Sequence, residues 1–116
     1  MTGATETFAN LAISTQLIER QLKATGVAVI GRVWESKGAY DLALRNGNGR
    51  TVVVRCVAEP HAADHIALKT MLTEGDFDRA FLVHTGDETD LTSEIQSYPL
   101  SRIDELAALL AEESAP

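Results

Sequence analysis

Two charged residues stand in stretches that otherwise read as β-strands. Asp41 lies at the start of the run Tyr40–Leu44, and Arg55 interrupts the apolar run Thr51–Ala58. Between the runs, Asn46-Gly47-Asn48-Gly49 is rich in residues that accept φ > 0, so the pair reads as a β-hairpin. That turn is no phosphate-binding loop, because it is short, lacks a lysine and precedes a strand. A second group is His61-Ala62-Ala63-Asp64-His65, with two histidines at i, i+4 and an acid between them. Zinc proteases carry H-x-x-E-H on a helix. Here the acid is the shorter Asp and no downstream ligand is recognisable, so the pair reads as two helix histidines and no metal is assigned. Cys56, the only cysteine, has no disulfide partner and sits in a strand-like run, where a buried, inert thiol is expected.

Charge is unevenly spread along the chain. The net charge is −7, which taken uniformly would repel nucleic acid. Residues 86–116 hold eight acids against Arg102 alone, and residues 1–85 balance nine acids with nine bases. Residues 20–55 carry Arg20, Lys23, Arg32, Lys37, Arg45, Arg50 and Arg55 against Glu35 and Asp41, a local net of +5. A basic face beside the central hairpin is therefore one expectation, with nucleic acid as its partner; a normally solvated surface is the other. Trp34 and Tyr40 flank the Lys37 turn, where aromatics cover a sheet edge or stack on bases.

The surrounding elements follow from periodicity and punctuation. Residues 6–25 read as an amphipathic helix with Phe8, Leu11, Ile18 and Leu22 on one stripe, widened by Ala12 and Leu17 and stopped by Gly26. Val27 to about Trp34 reads as a strand, followed by a turn at Ser36-Lys37-Gly38. The hairpin comes next, its second strand apolar enough to be buried on both faces. Pro60 opens a helix over His61–Glu74, expected to turn Ala63, Ile66, Ala67, Thr70 and Met71 inward. Arg79–His84 is a short buried strand, Asp90 or Thr92 begins a short helix, and Gln96–Leu100 is an edge strand because Pro99 cannot serve a central one. Ser101 is expected to cap a last helix with Asp104 three residues on, and Ile103, Leu106, Leu109 and Leu110 form its stripe. The order αβββαβ(α)βα predicts an α/β fold, one domain over residues 1–116, with a mixed sheet flanked by helices.

Composition is that of an ordinary soluble globular protein, 45% hydrophobic and 23% charged. No apolar run approaches the roughly 20 residues of a membrane span, and the first ten residues lack the basic and apolar regions of a secretory signal. A cytoplasmic location without membrane contact is the default expectation.

With this order in place, four stretches carry a resemblance. They are Glu19-Arg20-Gln21-Leu22 followed by Thr25-Gly26-Val27; Gly38-Ala39-Tyr40-Asp41-Leu42; Thr51–Val57; and Phe77–Gly86 with the Leu100–Leu110 helix. In order and type they resemble the PD-(D/E)xK, or restriction-endonuclease-like, superfamily, nearest to Mrr-type and Holliday-junction-resolvase-like domains. The resemblance implies a restriction-endonuclease-like sheet. It also implies a site in which Glu19, Asp41 and an acid on the next strand hold divalent metal, while a lysine two residues further assists the attacking water. Hard carboxylate oxygens suit Mg²⁺, and phosphodiester hydrolysis needs charge neutralisation and an activated water.

The E-x-K element is missing. In one register Arg55 takes the acid position and Val57 the lysine position; in the other, Val53 and Arg55 do. An Asp41–Arg55 ion pair is then expected in place of the metal site. The expected function is a degenerate nuclease domain that binds nucleic acid or a protein, without a cofactor. The alternative is a Mg²⁺-dependent DNA endonuclease whose site is rearranged around Glu19, Asp41, Glu59 and Lys69. A further alternative is a structural or regulatory oligomer, and the resemblance also implies homodimerisation.

Overall fold

The computed structural model describes residues 16–34, 39–58, 62–84 and 95–114. Residues 16–23 form helix α1, followed by strands β1 (Ala28–Trp34), β2 (Tyr40–Arg45) and β3 (Thr51–Val57). Helix α2 (Ala62–Thr73), strand β4 (Arg79–His84) and strand β5 (Gln96–Pro99) come next. A 3₁₀ turn (Leu100–Arg102) leads into helix α3 (Ile103–Ser114). The fold is α/β, with a five-stranded sheet ordered β1-β2-β3-β4-β5 and helices on both faces. β1 through β3 form an antiparallel meander, and β3, β4 and β5 run parallel. The short helix expected from Asp90 or Thr92 and the turn at residues 36–38 lie outside the described residues.

The hairpin sets the register of everything else. Asn46 Oδ1 accepts from the backbone N–H groups of Asn48 (2.9 Å) and Arg50 (3.0 Å), and Gly49 completes the turn at φ +83°. That geometry favours glycine, since a Cβ at positive φ is strained. The turn places Asp41 directly opposite Arg55 and Leu42 opposite Val54.

Alternation then sorts the sheet into two faces. Tyr40, Leu42, Leu44, Val52, Val54, Cys56, Phe81 and Val83 face one side and are covered by Ile18 and Leu22 of α1 and by Ile103, Leu106 and Leu110 of α3. Val53, Val57, Ala80 and Leu82 face the other side, where Leu68 of α2 covers them. All of Val52–Val57 is buried, as the continuous apolar run predicts. Among these, Val53 and Val57 share their face with Arg55, so this apolar layer also holds a buried polar group of Asp41, Arg55, Asp64, His65 and His84.

Three expectations are corrected. Helix α2 turns Asp64, His65 and Leu68 to the sheet, while Ala63 and Thr70 are exposed and Ile66 is 66% exposed. Met71, as expected, and Leu72 pack against the same layer, so the inward face joins the apolar Leu68, Met71 and Leu72 to the polar Asp64 and His65. Leu17 does not widen the α1 stripe; it is half exposed. Ser101 sits inside the 3₁₀ turn rather than capping α3; Pro99 precedes that turn, and no side chain caps it. No helix among the described residues is long and apolar enough to cross a membrane.

Candidate functional site

Arg55 is held between two carboxylates. Its Nε donates to Asp41 Oδ1 at 2.8 Å and its Nη2 to Asp41 Oδ2 at 3.0 Å, a parallel two-bond fork. Its Nη1 donates to Asp64 Oδ1 at 3.3 Å. Asp41 is supplied by β2, Arg55 by β3 and Asp64 by the first turn of α2, all three buried. The cross-strand register explains the first contact, because directly opposed residues meet on one face. The packing of α2 against β3 accounts for the second, because it brings the first-turn Asp64 to the Arg55 guanidinium.

Electrostatics follow from this packing. Burial alone would lower the pKa of the Arg55 guanidinium. The hydrogen bonds and charges of Asp41, and then of Asp64, outweigh that effect and raise it above its ordinary value. A guanidinium with so high a pKa neither accepts a proton nor acts as a Lewis acid. Both Asp41 oxygens are already engaged by it. The three charges sum to −1, and two histidines lie buried on the same side of the sheet: His84 at the end of β4 and His65 beside Asp64 on α2. Both ring nitrogens of His65 are buried without a hydrogen-bond partner.

Glu19 does not join this group. It faces the opposite side of the sheet, on the helix whose Ile18 and Leu22 pack with Tyr40 and Leu42. There it pairs with Arg32 through both guanidinium Nε (3.2 Å) and Nη2, and with Lys23 at 3.4 Å. The Arg32 hydrogen bonds hold its carboxyl below the usual carboxylate range, against a smaller opposing effect of burial. Lys69 is exposed on α2, and Glu59 lies outside the described residues. No group of three or more His, Cys, Asp or Glu among the described residues is arranged to hold a metal ion.

The basic residues of positions 20–55 also divide. Lys23 and Arg32 are bound to Glu19, and Arg55 is buried. Arg20, Arg45 and Arg50 are exposed, and Lys37 lies outside the described residues. Tyr40 is buried in the core, 4% exposed, and burial raises its hydroxyl pKa.

Sequence reasoning found Asp41 and Arg55 but not Asp64 as their partner. The available signal was an acid placed in the first turn of a helix that follows an arginine-bearing strand. Comparison of the chain with protein-family models, with curated proteins and with solved structures finds no match.

Proposed function

We propose that this chain is a catalytically degenerate, restriction-endonuclease-like domain that serves as a binding module for nucleic acid or protein. One observation carries the reading: Arg55 stands opposite Asp41 on the central hairpin and occupies both of its carboxylate oxygens. On the resemblance set out above, that is the register in which Arg55 replaces the metal-binding acid and Val57 replaces the lysine. The reading also rests on the element order, an α/β mixed sheet whose antiparallel meander is followed by a parallel crossover. A cation fixed by the chain itself neutralises the carboxylate that would otherwise attract Mg²⁺.

An active endonuclease rearranged around Glu19, Asp41, Glu59 and Lys69 finds less support, because Glu19 and Asp41 lie on opposite faces of the sheet. Plasmid nicking with Mg²⁺ or Mn²⁺ tests the choice. No nicking above background is expected; nicking that disappears in Asp41→Ala would overturn the proposal. For binding, Arg20, Arg45 and Arg50 are exposed among the described basic residues of positions 20–55 and are the groups proposed to meet phosphates. Each phosphate neutralised contributes about −0.9 to the slope of log K against log salt on duplex DNA, so three such contacts give about −3. A DNA affinity with that slope supports the nucleic-acid arm. A stable complex without salt dependence supports the protein arm, of which a homodimer is the simplest form.

A further inference from the structure

Asp41 and Asp64 come from separate elements, and both are buried, 7% and 8% exposed. They approach the Arg55 guanidinium from two directions. Asp41 lies along its Nε/Nη2 edge and Asp64 at Nη1. A planar fork of five fixed donors satisfies that spread. A spherical Mg²⁺ demands oxygens at about 2.0–2.1 Å in near-octahedral positions and could reach both carboxylates only if they closed in. We infer that Asp41 and Asp64 form a guanidinium-selective cation site, and that Arg55 is its tethered occupant. Shortening the Arg55 side chain leaves a cavity shaped and charged for free guanidinium, which restores the lost hydrogen bonds without a covalent link. The inference concerns the carboxylate pair and stands independently of the nuclease-like reading.

The experiment uses the full chain carrying Arg55→Ala, with thermal unfolding followed by circular dichroism. The probes are guanidinium chloride at millimolar concentration, far below its denaturing range, and sodium, ammonium and magnesium chloride at matched ionic strength. Guanidinium alone is expected to raise the midpoint, in a saturable manner, and to leave the unsubstituted protein unaffected. The rise should vanish when Asp41→Asn is added and shrink when Asp64→Asn is added. If Arg55→Ala is unfolded in buffer, guanidinium-dependent recovery of the native spectrum is the same readout, and failure to recover overturns the inference. Equal stabilisation by all the salts also overturns it. Stabilisation by Mg²⁺ instead of guanidinium overturns the selectivity and shows a dicarboxylate metal site, an outcome that leaves the nicking test above unaffected.

Discussion

Replacing Arg55 with methionine keeps much of the side-chain volume and removes the charge. Asp41 loses both of its bonds to Arg55, at 2.8 and 3.0 Å, in a buried layer beside Val53, Val57, Leu68 and Leu82. Asp64 loses one bond at 3.3 Å, longer than the two that Asp41 loses, so most of the penalty falls on Asp41. Breaking a buried ion pair by removing one partner costs about 3–5 kcal/mol. Domains of this size hold roughly 5–15 kcal/mol in total, so the variant should be marginal. At about 3–6 °C per kcal/mol for a chain of this length, the midpoint should fall by about 9–30 °C. Urea unfolding of both proteins at neutral pH measures the difference directly. The triple substitution Asp41→Leu, Arg55→Met, Asp64→Leu should recover most of the loss, because buried ion groups replaced by apolar residues are often neutral or stabilising. A loss below about 1 kcal/mol, the range of an exposed ion pair, would refute the claim that Arg55 is the buried counter-charge of this site.

Other perturbations test separate parts of the structure. Glu19 is held below its ordinary value of 4.5 chiefly by Arg32. Its contribution is thus present above that value and lost as pH falls through the lowered one; Glu19→Gln should flatten the acid limb of the stability curve and weaken its salt dependence. His65→Leu should stabilise the protein by about 1–3 kcal/mol in urea unfolding, because both buried ring nitrogens lack partners. Gly49→Ala should destabilise by about 1 kcal/mol or more, since its φ of +83° strains any residue with a Cβ.

The sheet was legible because its signals are local. Gly/Asn-rich turn chemistry, a Val-rich run and Pro99 fix the hairpin, the central strand and the edge strand without reference to the rest of the chain. Asp41 and Arg55 were legible for the same reason: a short hairpin determines which residues face each other. Helix α2 was not. Its inward face carries Asp64 and His65 beside Leu68, while Ile66 points to solvent. A reading based on apolar spacing therefore places Met71 correctly but turns Ile66 inward where Asp64 and His65 stand. The rotation that brings Asp64 to Arg55 comes from a charge on another element, 9 residues away in the chain. Glu19 posed the opposite problem. Its place on α1 was foreseen, but which side of the sheet α1 covers depends on three-dimensional packing that no local pattern encodes.

The three-way contact at Arg55 constrains how this sequence can change. Any single substitution at position 41, 55 or 64 leaves a buried charge less well matched. Such positions do not vary independently, and their effects should not add. Placing an acid at position 55 in one step would gather three carboxylates in a buried layer with no counter-charge. Exchanging the arginine for an acid therefore calls for coordinated changes at positions 41 and 64. The contact thus constrains the sequence as well as fastening the fold.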